Sequence, residues 1–486
     1  MEQLIQGLQK ARAQREPFDM FQKMAMGEDT SPDMSKLGFA GEEHKPGEMP
    51  PGPGGMPTGG GAPPMPGNIF GSDPEAGAAI VIDAGGVNAE ESRASCVKDG
   101  AYDAEGARDL CIVATDGHTG GVYVSGEGVS YTLENAVIRL SGNSAGLGGK
   151  ASGAAADNGA KLTLRGCDIE VSGKARSTTS STNGSELLVY DSRLVCHGAP
   201  FSEDAATPSG RVRDIQGNAR CHITMGNSKS WFFHSQVISD GWAALSTDIA
   251  QGYVSVEAND CLLQTTHSGY AAYADGGCEV VINNSQIRSA CMAGVIAGEA
   301  GIVYRGCEIT CNTFGNKFHC IGMPQEVGRL TLEDCTCHTA QQGIVVYSHN
   351  AEIAMKGTRM TSDSGVALEV LNNPDPNAAK TGGKQVYGVH VTLEDCRIEG
   401  SFLHSDTDRT TSLYLTSSSV RGQMVNIELW MQDGGTWYAT ADSSVTLVGA
   451  PAVSQFDAPA GVTITAKATQ SGSFDLASGG KLILRT

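Results

Sequence analysis

Side chains able to transfer protons recur at matching positions in successive short segments of the chain. The segments begin at Gly241, Gly269, Gly294, Gly315, Gly343 and Gly365. If each segment is a β-strand, alternate side chains point to opposite faces, and aligning the segments on their leading Gly places one set outward. The candidate catalytic residues in this outward set are Lys317, His319, Tyr347, Tyr273, His349 and Glu369.

An imidazole, a phenol, an ammonium group and a carboxylate on one face could perform general acid and base catalysis. Their proximity would also shift their pKa values. The candidate substrate-binding residues are Asp248, Asp275, Trp242, Tyr270, Arg211 and Arg213. The alternative is an ordinary solvated sheet face, and a slip of one residue in any segment would undo part of the alignment.

A four-residue motif indicates the elements that must position these side chains. It reads polar or Gly, then Cys, Ser, Thr or Ala, then any residue, then usually an aliphatic residue, as in Asp260-Cys261-Leu262-Leu263. The small residue recurs after 24 residues from Cys261 to Ser285 and after 22 residues from Ser285 to Cys307. A repeat of this length is typical of a solenoid.

Short alternating segments between these motifs, such as 161–165 and 391–394, have the pattern of strands. Because they recur at one coil length, each is expected to stack on the equivalent strand of the next coil. With this motif and these strands, the chain resembles the right-handed parallel β-helix (pectin-lyase-like) superfamily over roughly residues 80 to 450. The predicted fold class is therefore all-β, a right-handed parallel β-helix solenoid.

The composition along the chain predicts three regions. Residues 1–26 have the spacing of a short N-terminal helix, and 27–75 read as a flexible linker rich in Met, Pro and Gly. Residues 76–486 are predicted to form the parallel β-helix domain with a C-terminal cap. Two stretched coils, near 198–220 and 372–385, are expected to leave the helix as loops, and Arg211 and Arg213 lie in the first.

The net charge and the hydropathy of the chain indicate which partners it can bind and where it is located. The formal net charge of −20 argues against nucleic acid or an anionic membrane, because no basic face exists to displace counterions. The N-terminus lacks the apolar core of a secretory signal, and no apolar run is long enough to span a bilayer. The sequence therefore predicts a cytoplasmic protein, with a homo-oligomer left open.

The 14 cysteines are interpreted as packed, reduced thiols, since many occupy the small position of the motif. Cys335, Cys337 and His338 resemble half of a metal site, but both cysteines fall at inward positions, so no metal site is predicted. The segment 404–409 gathers carboxylates with a His and an Arg and could hold a divalent cation, although a turn between coils is the favoured interpretation. No cofactor is predicted.

The resemblance implies an enzyme, since its members are mostly polysaccharide lyases, hydrolases and epimerases that bind substrate along an outer groove. In a lyase or isomerase scheme Lys317 or His319 is the base and Tyr347 or Tyr273 the acid, and Glu369 or Asp275 orients the imidazole. The paired-Asp and Gly-His-Gly pattern of polygalacturonases is missing, as is the calcium and arginine set of pectate lyases. The expected substrate is therefore an oligosaccharide, a uronate or another small polyhydroxylated molecule. The alternative is a non-catalytic scaffold or an adhesin-like binding protein.

Overall fold

The computed structural model describes residues 75–144, 146–198, 220–248, 252–319, 324–373, 381 and 386–486. These ranges fold as a parallel β-helix, which confirms the predicted all-β solenoid. The predicted N-terminal helix over 1–26 and all but the last residue of the predicted linker over 27–75 lie outside the described residues. Arg211, Arg213 and most of the two predicted loops lie outside them as well.

The coils stack so that three parallel sheets, here named A, B and C, run along the described body in that order within each coil. Sheet A consists of β1 (Gly77–Asp83), β5 (Thr119–Ser125), β8 (Ala154–Asp157), β11 (Thr179–Ser181), β14 (Arg220–Met225), β17 (Ala243–Asp248), β20 (Tyr270–Ala274), β23 (Met292–Ala297), β26 (Asn316–His319) and β29 (Ile344–Tyr347). Sheet B consists of β6 (Ser130–Glu134), β9 (Lys161–Arg165), β12 (Glu186–Tyr190), β15 (Lys229–Phe233), β18 (Val254–Asn259), β21 (Cys278–Asn283), β24 (Gly301–Arg305), β27 (Val327–Glu333), β30 (Asn350–Lys356), β32 (Val389–Glu394), β34 (Thr411–Thr416), β36 (Met424–Met431), β38 (Ser443–Val448), β40 (Thr463–Lys467) and β42 (Lys481–Arg485).

Sheet C consists of β4 (Gly106–Ala114), β7 (Val137–Ser141), β10 (Asp168–Ser172), β13 (Arg193–His197), β16 (Gln236–Ser239), β19 (Leu262–Thr265), β22 (Gln286–Ser289), β25 (Glu308–Cys311), β28 (Thr336–Thr339), β31 (Arg359–Leu371), β33 (Arg397–His404), β35 (Ser419–Arg421), β37 (Thr436–Tyr438) and β39 (Phe456–Asp457). The long strands β31 and β33 begin in sheet C and continue into sheet A of the next coil. Three antiparallel strands flank the first and last described coils: β2 (Gly86–Val87) along β1, β3 (Val97–Tyr102) along β4 and β41 (Gly472–Asp475) along β42.

Helical structure in the described ranges is limited to the short 3-10 turns Ala94–Cys96, Gly149–Ala151 and Val453–Gln455. None of the described helices is long and apolar enough to cross a membrane.

The repeated motif forms the corner between sheet B and sheet C. Its first residue has a left-handed backbone, with φ of 54° at Asp260, 49° at Asn284 and 59° at Gly306. Gly adopts this conformation freely, and short polar side chains tolerate it better than most others. The corner therefore explains why the motif begins with a polar residue or Gly. Its fourth residue, such as Leu263, is buried in the core.

Hydrogen bonds explain why the second residue of the motif is often Ser or Thr. Ser285 Oγ donates to the carbonyl oxygen of Asn283 at 2.7 Å and accepts the backbone N–H of Cys261 at 3.0 Å. The same two bonds recur at Ser192, Ser235, Thr358 and Ser418. A hydroxyl at this buried corner satisfies a backbone donor and a backbone acceptor that would otherwise be unpaired. The repeat is thus a ladder of hydrogen bonds as well as a packing pattern.

The inner sides of the three sheets enclose one continuous apolar core. All the described cysteines are free, and most of them are buried in or beside this core. Cys335 and Cys337 point into the core, whereas His338 is exposed and its Nε2 lies 3.5 Å from the Asp363 carboxylate. The three side chains therefore do not converge on one point, and packing explains the two thiols.

Candidate functional site

The outer face of sheet A carries the candidate side chains in two adjacent columns. Tyr273, Val295, Lys317, Val345 and Glu369 are successive register partners in one column. The neighbouring outward column contains Ala297, His319 and Tyr347. Since adjacent parallel strands are about 4.8 Å apart, the span from Tyr273 to Glu369 is about 19 Å. Five of the predicted catalytic residues therefore share one face.

Two strands have a register that differs from the Gly-based alignment. The alignment puts Leu245 at the same outward position as Tyr273 and His319, but Leu245 pairs with Ala272 and lies in the core. It puts Ala297 at the same inward position as Ala272 and Phe318, but Ala297 pairs with His319 on the outer side. The reason is that Gly294 lies inside β23, whereas Gly241 precedes β17 by an extra residue. The leading Gly is therefore not the same structural position in every coil.

A segment preceding β8 covers part of this outer face. The backbone N–H of Gly149 donates to Ser180 Oγ at 3.0 Å, and the Ser152 hydroxyl lies 3.0 Å from the same oxygen. Leu147 packs in an outer apolar cluster with Trp242 and Tyr270, separate from the main core. The candidate site thus has an apolar wall on the side of sheet A that lies nearest the earlier coils.

Arg220 lies at the centre of a buried charged group on this face. Its Nη1 donates to Asp248 Oδ2 at 2.5 Å, and the two side chains are only 4% and 13% exposed. The guanidinium lies over Trp242 at 4.4 Å and over Tyr273 at 5.3 Å from the ring centroids. Tyr270 stacks on Tyr273 with ring centroids 5.2 Å apart. The aromatic faces and the carboxylate together offset the cost of burying the positive charge.

Sequence reasoning missed Arg220 because it was placed at the end of a long loop. The structure shows that Arg220 opens β14 and pairs with Ala243 of the next coil. The leading-Gly alignment carries no signal for it, since Arg220 is the third residue after Gly217, where that alignment expects an inward apolar residue.

Asp248 and Asp275 form a carboxyl pair beside Arg220. Burial, followed by the charge of Asp248 and its hydrogen bond, raises the pKa of Asp275 to about 7. Two carboxyl groups in contact repel each other when both are ionised, which is why the neighbouring Asp248 raises the pKa of Asp275. Burial and then the charge of Asp275 raise the pKa of the Tyr273 phenol well above its ordinary value. The phenol therefore stays protonated at neutral pH.

Thr247 holds the backbone around this pair. Its Oγ1 donates to the carbonyl oxygen of Tyr273 at 3.0 Å and accepts the backbone N–H of Asp275 at 3.2 Å. Thr247 is fully buried, so these bonds fix the end of β20 against the end of β17. The carboxyl pair thus lies on a rigid part of the scaffold.

Lys317, His319 and Tyr347 form a second group, two to three coils further along. The Lys317 ammonium lies 5.0 Å from the centroid of the Tyr347 ring, an attractive cation and ring geometry. Lys317 and His319 are buried, whereas Tyr347 is partly exposed. Glu369, also partly exposed, accepts a hydrogen bond from Gln342 Nε2 at 2.5 Å.

His349 lies apart from these two groups. Its Nδ1 is 2.5 Å from the carbonyl oxygen of Asn350, so it carries the hydrogen and donates. Its ring lies 6.1 Å from that of Phe318, which belongs to the core. Burial lowers the pKa of His349 to about 4, although the bond to Asn350 acts in the opposite direction. Its imidazole is therefore neutral at physiological pH and packs at a corner.

The segment 404–409 is organised by its own contacts. Arg409 Nη1 lies 3.1 Å from Asp406 Oδ2 inside the protein, and His404 Nδ1 lies 2.8 Å from Thr411 Oγ1. These contacts are those of a turn between coils. In the described ranges no group of three or more His, Cys, Asp or Glu side chains has the geometry to hold a metal ion.

A scan against protein-family models finds no matching family, and a search of curated proteins finds no relative. The site is therefore interpreted from its own geometry. Solvent reaches Asp248, Tyr273, Asp275, Tyr347 and Glu369, while Arg220 and Lys317 lie beneath them. A partly exposed layer of acids and phenols thus rests on buried cations.

Proposed function

We propose that this protein is an enzyme that performs proton transfer on an oligosaccharide, a uronate or another small polyhydroxylated molecule at the outer face of sheet A. The observation that carries the proposal is the Asp248 and Asp275 pair, in which the pKa of Asp275 is raised to about 7. An acid whose pKa lies near the working pH can both give and take a proton efficiently.

The roles divide according to the contacts of each group. Asp248 is paired with Arg220, whereas the raised pKa belongs to Asp275, so Asp275 carries the exchangeable proton. Near neutral pH the ionised form of Asp275 removes a proton as the general base, and the carboxyl so formed returns that proton as the general acid. Tyr273 donates hydrogen bonds through its protonated phenol, and the second group around Lys317 and Tyr347 binds the more distant part of the substrate.

The contact between the two carboxyls bears on the class of reaction. The two catalytic carboxylates of most glycosidases are about 5–9.5 Å apart, so that a sugar or a water fits between them. Asp248 and Asp275 are hydrogen-bonded instead, and they supply one exchangeable proton at one place. This arrangement favours a lyase or an isomerase, in which one group removes a proton and returns it to a neighbouring atom.

The setting of the pair fits the proposed substrate class. The rings of Trp242, Tyr270 and Tyr273 offer apolar faces beside polar groups, as small-ligand sites commonly do. A pectin-lyase-like relationship and a cytoplasmic location remain part of the proposal, the second because the described thiols are free. The proposed chemistry uses side chains only.

The test is a screen of purified protein against oligosaccharides, uronic acids and other polyols at pH 5 to 8. New reducing ends report hydrolysis, ultraviolet absorbance reports an unsaturated lyase product, and proton exchange with solvent D₂O reports isomerisation. For a substrate that is turned over, Asp275→Asn is expected to lower kcat by roughly 10² to 10⁴.

Asp168→Asn is the matched control, because it removes a carboxylate from the solvated face of sheet C. It is expected to leave turnover unchanged. Equal turnover in wild type and Asp275→Asn would overturn the assignment of the site. Inactivity across the whole panel would instead support the alternative of a non-catalytic scaffold.

A further inference from the structure

The small position of the corner motif brings two thiols together at one place. The residues stacked there through the described coils are Ala136, Cys167, Ser192, Ser235, Cys261, Ser285, Cys307, Cys335, Thr358, Cys396 and Ser418. Within this described column, Cys307 and Cys335 are the only cysteines on successive coils. Every other cysteine of the column lies between residues with a hydroxyl or a methyl group.

The register of sheet C fixes the spacing of this pair. Glu308 pairs with Thr336, and the Thr336 N–H donates to the Cys307 carbonyl oxygen at 2.9 Å. Cys307 and Cys335 immediately precede these strands and occupy equivalent places in the stack. Adjacent strands are about 4.8 Å apart, which lies inside the roughly 4.4–6.8 Å between Cα atoms joined by a disulfide.

Both side chains point into the same small volume. Cys307 and Cys335 are each 1% exposed and belong to the core. The neighbouring thiol lowers the pKa of Cys307 and raises the pKa of Cys335, while Cys335 Sγ donates to the carbonyl oxygen of Glu333 at 3.2 Å. Of the two, Cys307 is therefore the thiol that ionises first. A thiolate is the nucleophile in disulfide exchange.

We propose that Cys307 and Cys335 form a disulfide when the chain folds in the presence of a disulfide oxidant such as glutathione disulfide. The Cys307 thiolate attacks one sulfur of the oxidant, forming a mixed disulfide and releasing one glutathione thiolate. The Cys335 thiolate then attacks Cys307 Sγ and releases the second glutathione. The two cysteines lose two protons and two electrons, and glutathione disulfide is reduced to two glutathione molecules.

The crosslink would enclose one full coil of the helix. The 27 residues between Cys307 and Cys335 include β26, with Lys317 and His319. Closing this loop restricts the unfolded chain, so the oxidised protein is expected to be more stable than the reduced one. The covalent bond would thereby fix the coil that carries the second group of candidate side chains, whatever their chemistry.

The experiment is refolding of the full chain from denaturant in glutathione buffers of increasing oxidation, followed by acid quenching and peptide mapping by mass spectrometry. The expected result is one dominant crosslink, between the peptides that contain Cys307 and Cys335, with a mass two hydrogens below the sum of the peptides. Thermal unfolding of the oxidised protein should occur several degrees above that of the reduced protein.

Cys261→Ser is the matched control, because Cys261 occupies the same corner position between Ser235 and Ser285. It should keep both the crosslink and the thermal shift, whereas Cys335→Ser should lose both while folding with the same far-ultraviolet circular dichroism. Recovery of Cys307 and Cys335 as free thiols, or their random pairing with other cysteines, would overturn the proposal.

Discussion

On the outer faces of sheets B and C, opposite charges pair between neighbouring coils in contact with water, whereas on sheet A the cations Arg220 and Lys317 are buried beneath partly exposed side chains. Lys356 and Glu394 of sheet B are 2.7 Å apart with side chains 59% and 47% exposed. Arg220 and Asp248 of sheet A are 2.5 Å apart with side chains 4% and 13% exposed. The pairs have similar geometry, and only their exposure to solvent differs.

This difference separates scaffold from candidate site. An exposed pair gains little because water already solvates both partners. A buried pair is held in an environment where removing one partner leaves an uncompensated charge, and where neighbouring acids shift each other's pKa. The ladders on sheets B and C are therefore ordinary solvated sheet faces, whereas the Arg220 group on sheet A has properties that proton transfer requires.

The strongest test of the comparison is Arg220→Met. It leaves Asp248 buried without its partner, and we expect the free energy of unfolding to fall by about 3–5 kcal/mol. Urea denaturation followed by circular dichroism measures this change. The double variant Arg220→Met/Asp248→Asn should recover a large part of the loss, because the unpaired charge is gone. If the double variant were less stable than the single one, burial of the charge would not be the cause.

The second-largest expected effect is the change in the free energy of unfolding with pH. Asp275 has a folded pKa of about 7, against about 3.9 in an unfolded chain. Between these values the folded protein binds more protons, so the free energy of unfolding falls as pH rises from about 4 to 7 and levels off above. Urea denaturation between pH 4 and 8 measures this fall. The free energy of unfolding of wild type should fall by roughly 1–3 kcal/mol more than that of Asp275→Asn. Parallel profiles for the two proteins would contradict it.

An ion pair of intermediate exposure on sheet B tests whether the stability lost on removing a charge depends on burial. Arg305 Nε lies 2.6 Å from Glu333 Oε2, and the two side chains are 17% and 40% exposed. We expect Arg305→Met to cost about 1 kcal/mol, measured by the same urea denaturation, since its stem is packed but its partner is solvated. A loss as large as that of Arg220→Met would show that exposure does not separate the two faces.

The smallest effect is expected at the most exposed pair. Lys356→Met should change the free energy of unfolding by no more than about 0.5 kcal/mol. High salt should reduce this difference to nearly zero, because it screens exposed charges. Paired urea titrations at low and high salt provide the measurement. If the free energy of unfolding fell by well over about 1 kcal/mol, the exposed pair of Lys356 and Glu394 would be a stabilising interaction, and the contrast with sheet A would be weaker.

The sequence predicted the solenoid because each corner imposes its own local requirements. A left-handed residue such as Asp260 must be Gly or a tolerant polar residue, and the next residue must be small and able to hydrogen-bond. These requirements repeat once per coil and are visible along the chain. The same alternation placed Lys317, His319, Tyr347, Tyr273 and Glu369 on one outer face.

The tertiary structure alone decided the register and the burial. Leu245 and Ala297 point opposite to the sequence alignment because the turns that lead into β17 and β23 differ in length, and a one-residue shift reverses every side chain. Arg220 joins Asp248 across 28 residues of sequence, and the pKa of Asp275 is raised by its own partial burial and then by the charge of Asp248. Each residue type determines its own local backbone preference, so that preference can be predicted from the sequence. The solvent exposure of a charge depends instead on all the coils that stack around it.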